Sequence, residues 1–113
     1  MYELSKDHED FRKVVREFAT DAVEPHVAQW DREHHFPADL VPRLGELGLF
    51  GLVVPEEFGG HEMGNLAMIL TTEELFRVSL AAAGSLITRP EILAKALLAG
   101  GTERQKRTWL PRI

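Results

Sequence analysis

Apolar residues are densest between Asn65 and Gly100, and this stretch predicts the centre of the fold. They occupy most faces of a helix, which is typical of a helix buried among other elements. Small residues from Ala81 to Gly84 divide the stretch, and Pro90 begins or kinks its second part. We therefore predict two core helices that meet at a tight joint at residues 81–84, with the rest of the chain packed around them.

The segment after Ser5 predicts an amphipathic first helix. The Ser5 hydroxyl can accept a hydrogen bond from a first-turn amide, and acidic residues follow it where the positive end of the helix dipole favours them. Apolar residues then recur at spacings of three and four, which places them on one side of the helix. These inward residues are Phe11, Val14, Val15, Phe18, Ala19 and Ala22. Pro25 ends or redirects this helix and can begin a short second one.

Histidines and acids in the second segment raise the question of a metal site. The candidates are His26, Asp31, Glu33, His34 and His35. His34 and His35 are adjacent and point to different sides of a helix, and His26 is not three or four residues from either of them. The pattern therefore favours a solvated polar face over a metal site.

A third helix is predicted after Pro37, and Gly48 is expected to end it in the left-handed region. Its inward residues are Leu40, Val41, Leu44 and Leu47. Residues 52–55 are short and apolar, which predicts an extended segment. The two glycines of the 55–60 loop predict positive φ or a close backbone approach. Local chemistry favours a plain connection over a loop that contacts a ligand or a neighbouring domain.

Charged residues within the apolar stretch invite a catalytic interpretation. Glu73 and Glu74 are adjacent and diverge by about 100° on a helix, so they do not converge on one substrate atom. Glu73 is instead placed to pair with Arg77 at i+4. Arg89 would need Glu91 as a partner if it were buried, and an arginine that reaches solvent at a helix start is favoured.

The last helix has a clear beginning and an inner face. Thr102 followed by Gln105 forms a capping box, which satisfies two amides reciprocally. Trp109, Leu110 and Ile113 are predicted to face inwards.

Composition excludes several classes of function. A net charge of −5 without a clustered basic face argues against a nucleic-acid binder. Charges interrupt the apolar stretch before it reaches the ~20 residues of a membrane span. Because cysteine is absent, a disulfide, a thiolate nucleophile and a zinc–thiolate site are all excluded. The polar, acidic N-terminus predicts no secretory signal, and the cytoplasm is the expected location. Periodicity and composition alone thus give a helical domain and no chemistry.

Two motifs say more. Residues 36–60, FPADLVPRLGELGLFGLVVPEEFGG, resemble the acyl-CoA dehydrogenase signature of an FP helix start, an LGL(F)GL turn and a PEE(F/Y)GG loop. Residues 100–113, GGTERQKRTWLPRI, are similar to the GTEEQKxxWLP segment that closes the N-terminal helical domain of that family. Order and spacing also fit, with a Glu-Glu-Leu helix between the motifs. The resemblance implies that residues 1–113 are this domain, an all-α antiparallel bundle of five to six helices.

The resemblance also implies what the chain lacks. Family members add a middle β-domain and a C-terminal helical domain, and both are expected to be absent here. The complete enzymes desaturate an acyl-CoA thioester between Cα and Cβ, with a carboxylate base and hydride transfer to FAD. They use an electron-transfer acceptor and are commonly homo-oligomers. Since the base and most FAD contacts lie in the other domains, this chain alone is expected neither to catalyse the reaction nor to bind FAD.

The N-terminal domain of the family supplies helix walls for the acyl pocket. Counting back from the GGTERQK motif, the resemblance implies that Gly84, Ser85 and Thr88 face the acyl tail, where small residues leave room. Two other hypotheses stay open: a stand-alone helical module that dimerises or binds a partner, and an acyl-binding bundle without flavin. A domain cut from a larger enzyme predicts bare apolar surface on the final helix and the 51–60 loop.

Overall fold

The computed structural model describes residues 3–113 as five continuous helical runs, with no strand among those residues. The first two runs contain, in order, α1 (Lys6–Phe18), a π-helical turn (Ala19–Val23), a 3₁₀ turn (Glu24–His26), α2 (Val27–Glu33), α3 (Leu40–Glu46) and a 3₁₀ turn (Leu49–Gly51). A further 3₁₀ turn (Glu56–Phe58) precedes the last three runs. These contain α4 (Asn65–Val78), α5 (Leu80–Leu86), the π segment (Ile87–Ala94), α6 (Lys95–Gly100), α7 (Glu103–Trp109) and a 3₁₀ turn (Leu110–Arg112). The predicted all-α class and helix number are confirmed.

The helix starts predicted from side-chain caps are confirmed. At α1, the backbone N–H of His8 donates to Ser5 Oγ at 3.2 Å. At α7, the N–H of Gln105 donates to Thr102 Oγ1 at 3.2 Å, and the N–H of Thr102 donates to Gln105 Oε1 at 2.9 Å. Each bond satisfies an amide that has no partner within its own helix.

The joint predicted at residues 81–84 was wrong, because the helix is interrupted at Ser79 instead. Ser79 is extended, with φ −157° and ψ 119°, and its Oγ accepts a hydrogen bond from the N–H of Ala82 at 3.1 Å. The capping serine therefore sets the boundary, and residues 81–84 lie within α5.

Pro90 lies inside the fourth run (80–100), within the π segment. A proline in a helix lacks an N–H donor, and its ring crowds the carbonyl of residue i−4, here Leu86. The wider π turn accommodates both effects, so the helix passes the proline and continues as α6. Of the two predicted roles for Pro90, the one within a helix is correct.

The 52–60 loop is a compact turn. The prediction of an extended segment at residues 52–55 was wrong, because Leu52 lies in the helical region at φ −61° and ψ −33°. Both reasons for the glycines are confirmed: Gly59 has φ +88°, and a side chain on Gly60 would overlap the carbonyl of Val54. The turn is closed on its own backbone.

Most of the predicted inward residues are buried or half-buried, with specific exceptions. Two clusters form the core; the larger contains Val15, Ala19, Val23, Leu40, Leu44, Leu49, Phe50, Leu52, Met68, Leu75, Ala82, Ala83 and Leu86, and the smaller contains Val54, Phe58, Ala94 and Leu110. Val14, Leu47 and Trp109 were predicted to face inwards and are exposed. Gly48 has the predicted left-handed conformation, with φ +77°.

The 65–100 stretch is buried on one side only, which corrects the prediction of a pair buried on most faces. Its exposed large apolar residues are Leu66, Ile69, Leu80, Ile87, Ile92 and Leu93. Leu80 is the extreme case, at 71% exposure. Bare apolar surface was instead expected on the final helix and the 51–60 loop. Trp109 supplies it on the final helix, whereas Leu52, Val54 and Phe58 of the loop are buried.

A buried carboxylate joins α1 to α4. The side chain of Glu74 on α4 is 1% exposed. Arg12 of α1 donates from Nε to Glu74 Oε1 at 2.8 Å. Arg16, one turn later, donates from Nε to Oε2 at 2.9 Å and from its terminal nitrogen to Oε1 at 2.8 Å. Such a two-point arginine–carboxylate pair is stronger and more specific in orientation than a single bond.

The arginines determine the charge state of Glu74. The hydrogen bonds from Arg16, together with those from Arg12, lower the pKa of Glu74 to about 2, against the opposing effect of burial. Arg77 also lies 3.6 Å from Glu74, so the predicted Glu73–Arg77 pair was wrong. Glu73 instead lies 3.6 Å from Arg12 and is exposed. The two acids therefore have separate structural roles and do not form an acid–base couple.

Replacing Glu74 with glutamine is expected to lower the free energy of unfolding by about 2 kcal/mol, because two guanidinium groups lose a buried anion. Urea unfolding followed by circular dichroism measures the change. Glu73→Gln on the neighbouring exposed site is the matched control and should change stability by less than about 0.5 kcal/mol. Equal effects of the two variants would contradict this role for Glu74.

The stability difference between wild type and Glu74→Gln should depend on pH. Because the pKa of Glu74 is lowered from 4.5 to about 2 on folding, its stabilisation is complete above pH 4.5 and is lost as the pH falls towards 2. Thermal unfolding at pH 7, 4, 3 and 2 should show the two proteins converging across this window. A constant difference from pH 7 to pH 2 would count against the assignment.

Candidate functional site

The three predicted site residues lie on one helical run, on the two sides of the start of the π segment. Gly84 and Ser85 belong to α5, and Thr88 belongs to the π segment. A side chain built on Gly84 would meet no atom within 4 Å, so space is open beside this residue. Thr88 is exposed and donates from Oγ1 to the carbonyl of Ser85 at 3.3 Å. Gly84 and Thr88 are thus both accessible, about one turn apart.

Ser85 differs from its two neighbours because its hydroxyl is buried. Its Oγ has no hydrogen-bond partner among residues 3–113. A serine within a helix commonly donates to the carbonyl four residues earlier, and Ser85 does not. A buried hydroxyl without a partner costs about 1–3 kcal/mol. The three residues are therefore close together in the chain, but their side chains do not share one open surface.

A groove lies between α4 and the fourth run (80–100). This α4–π groove has a volume of about 610 Å³ and is lined by Asn65, Met68, Ile69, Thr72, Glu73, Ile87, Glu91 and Lys95. Its floor is apolar, and Lys95 donates to Glu91 at 2.8 Å on its wall. Ile87 lines the groove and directly precedes Thr88 in the chain, whereas Gly84, Ser85 and Thr88 are not among the lining residues. A volume of this size suits a small apolar ligand.

Sequence reasoning missed the α4–π groove, although part of its signal was present. Ile87, Glu91 and Lys95 are spaced by four residues, and Met68 and Thr72 of α4 are spaced in the same way. Spacing by four places residues on one face of a helix. The pattern indicates a shared stripe on each element, and only the folded chain shows that the two stripes face each other.

A second groove lies between the fourth run and α7. This α6–α7 groove has a volume of about 460 Å³ and is lined by Arg89, Leu93, Leu97, Trp109, Arg112 and Ile113. Arg89 is exposed, as favoured from the sequence, and its guanidinium carbon lies 4.8 Å from the centre of the Phe50 ring. Its proposed partner Glu91 pairs with Lys95 instead.

Two other classes of site find no support within residues 3–113. These residues contain no group of three or more histidine or acidic side chains arranged to hold a metal ion. Within the same part of the chain, every helix is too short or too polar to cross a membrane.

Comparison with known proteins now decides the family. The family model of the acyl-CoA dehydrogenase N-terminal domain matches residues 5–113. The chain belongs to the acyl-CoA dehydrogenase family. The resemblance inferred from residues 36–60 and 100–113 is therefore confirmed.

Individual acyl-CoA dehydrogenase relatives match across the whole domain. The chain is 42% identical to (2S)-methylsuccinyl-CoA dehydrogenase of Cereibacter sphaeroides, over 97% of this chain and 20% of the relative. It is 36% identical to the NADH-dependent acryloyl-CoA reductase of Anaerotignum propionicum, over 99% of this chain and 28% of the relative.

A solved structure agrees with these relatives. It is described as the electron transferring flavoprotein of Acidaminococcus fermentans and superposes with a TM-score of 0.93 at 31% identity. The match covers 100% of this chain and 30% of the solved chain. The acyl-CoA dehydrogenase domain described here thus spans less than a third of the length of the proteins that it matches.

Within the acyl-CoA dehydrogenase domain, Ser85→Ala should raise the free energy of unfolding by about 1 kcal/mol, because an unpaired buried hydroxyl is removed from a helix. Urea unfolding measures the change. The matched control is Ser79→Ala, which removes the cap of α5 and should lower stability by about 1 kcal/mol. A loss of stability in Ser85→Ala would show that its hydroxyl has a partner.

Proposed function

We propose that this chain is the N-terminal helical domain of a flavin-dependent enzyme that oxidises an acyl-CoA thioester to an enoyl-CoA. The family match over residues 5–113 carries the proposal. The middle β-domain and the C-terminal helical domain of such an enzyme lie in parts of the polypeptide outside these residues. The chain's coverage of only 20–30% of its matched relatives and of the solved chain supports this division.

The domain's role in the reaction is to form a wall of the acyl pocket through Gly84, Ser85 and Thr88. The open space beside Gly84 and the exposure of Thr88 support this role. The unpartnered Ser85 hydroxyl is a stability cost of the kind that functional sites tolerate. Ile87, next to Thr88 in the chain, lines the α4–π groove, and this groove is proposed to extend the wall with apolar side chains.

The catalytic base belongs to another domain. Among residues 3–113, Glu74 is the only buried carboxylate. The pKa of Glu74 is held at about 2 by the arginines, so it is a poor acceptor of a proton from a thioester α-carbon. Residues 3–113 can bind and orient the tail of the substrate, and they do not supply the proton acceptor.

The 55–60 loop does not fit an FAD phosphate site. A dinucleotide needs a loop with free backbone amides that can approach its phosphates. The glycine-rich 55–60 loop is closed on itself, because Gly60 packs against the carbonyl of Val54. FAD, which would accept the hydride, is therefore assigned to the complete parent enzyme and not to this chain alone.

Further features are proposed for the parent enzyme. An electron-transfer acceptor is proposed as its redox partner, and a structure described as an electron transferring flavoprotein is among the matches. The parent is proposed to be a homo-oligomer, as the family resemblance implies, and its cytoplasmic location stays a prediction from the sequence. A second candidate is the reverse reaction, reduction of an enoyl-CoA, which the 36% identity to acryloyl-CoA reductase favours. Both directions act on the same carbon–carbon bond, so the proposed acyl wall serves either one.

Replacing Ser85 or Thr88 with leucine in the complete enzyme should shift substrate preference towards shorter acyl chains. The added side-chain carbons take the space of acyl methylenes, so kcat/KM for the longer substrates should fall about tenfold or more relative to the shorter ones. Steady-state assays across a series of straight-chain acyl-CoA substrates measure the shift. The exposed Thr20→Leu on another run is the control and should leave the preference unchanged. An unaltered preference in both test variants would refute the acyl-wall role.

A further inference from the structure

The α6–α7 groove carries the largest exposed aromatic side chain of the domain. Trp109 is 52% exposed, and Leu93 across the groove is 48% exposed. Leu97 and Ile113 are half-buried and complete an apolar floor. A groove with exposed apolar side chains on both of its sides can receive an apolar side chain of another segment.

Two positive charges flank this floor. The guanidinium carbon of Arg112 lies 5.7 Å from the centre of the Trp109 ring, and that of Arg89 lies over the ring of Phe50. Within residues 3–113, neither arginine has a carboxylate within 4.0 Å, in contrast to Arg12, Arg16 and Arg77. The groove is therefore complementary to an apolar segment that also brings carboxylate or carbonyl oxygens.

The course of the backbone identifies that segment. Arg112 and Ile113 are themselves lining residues, so a polypeptide that continues beyond residue 113 starts inside the groove. In the matched solved structure, 70% of the chain lies outside the matched part. The family model describes the matched part as the N-terminal domain, so the remainder follows it.

We propose that the segment directly after residue 113 in the complete protein lies in the α6–α7 groove. An apolar side chain of that segment covers Trp109 and Leu93, and acidic or carbonyl oxygens face Arg89 and Arg112. The contact fixes the next domain relative to this one. This inference rests on the proposed function, because it requires a polypeptide longer than the residues described.

Residue-resolved hydroxyl-radical footprinting tests whether the groove is covered. Oxidation of Trp109 is compared between the 113-residue chain and the complete protein, with Phe36, also 52% exposed, as the matched internal control. The rate at Trp109 should fall at least threefold in the complete protein, and the rate at Phe36 should fall less. Equal rates at Trp109, or protection no greater than at Phe36, would overturn the proposal. Concentration-dependent protection in the 113-residue chain would identify a second copy as the occupant and would overturn it too.

Photo-cross-linking identifies the occupant. Leu93→p-benzoylphenylalanine in the complete protein should cross-link to a peptide that lies directly after residue 113. A cross-link to a distant domain or to another subunit would overturn the proposal. Acyl-CoA oxidation is assayed in the same preparation. An inactive protein with a covered groove would contradict the proposed function alone. An active protein with an open groove would contradict the docking proposal alone.

A charge at the groove provides an independent readout. Leu93→Arg and Val14→Arg alter side chains that are 48% and 53% exposed, so neither should change the melting temperature of the 113-residue chain by more than about 2 °C. In the complete protein, Leu93→Arg should lower the melting temperature by several degrees more than Val14→Arg, because it buries a charge beside two others. Equal shifts would contradict coverage of the groove.

Discussion

The contact between Glu74 and the arginines of α1 is the constraint on which the rest of this fold depends. It is the one place among the described residues where a fully buried charge is paired across two long helices. Because a carboxylate cannot be buried alone, α4 can pack on α1 only in the register that brings Arg12 and Arg16 to Glu74. Once that register is fixed, Val15, Met68 and Leu75 meet in the larger core cluster. The exposed side of α4 is then left facing the fourth run, where the α4–π groove forms.

Local signals were the predictable part of this structure. The caps at Ser5 and Thr102 and the positive φ of Gly48 and Gly59 follow from the chemistry of a few neighbouring residues. The two family motifs similarly combine short sequences with fixed spacing, and they identified the domain. These features need no knowledge of what lies across the fold.

The features that the sequence did not predict depend on contacts between residues far apart in the chain. The hydrogen-bond partners of Glu74 are 58 and 62 residues away in the chain, so a search among helical neighbours favoured the wrong pair, Glu73 and Arg77. Trp109 and Val14 fit the apolar spacing of their helices, and yet they face outwards because no element of residues 3–113 covers them. For the candidate site, the sequence could indicate small residues at 84 and 85, and only the folded chain shows the missing hydrogen bond of Ser85 and the adjoining groove.

The π segment has a consequence for how this domain can vary during evolution. Each wide turn has the effect of one residue inserted into an α-helix, which rotates every later side chain by about 100° relative to the preceding turns. Residues 80–86 and 95–100 thus belong to two helical phases joined at Pro90. A relative that lost one residue here would regain a regular helix and would exchange which side chains line each groove. The number of residues in the π segment therefore determines which side chains face the α4–π groove and which face the α6–α7 groove.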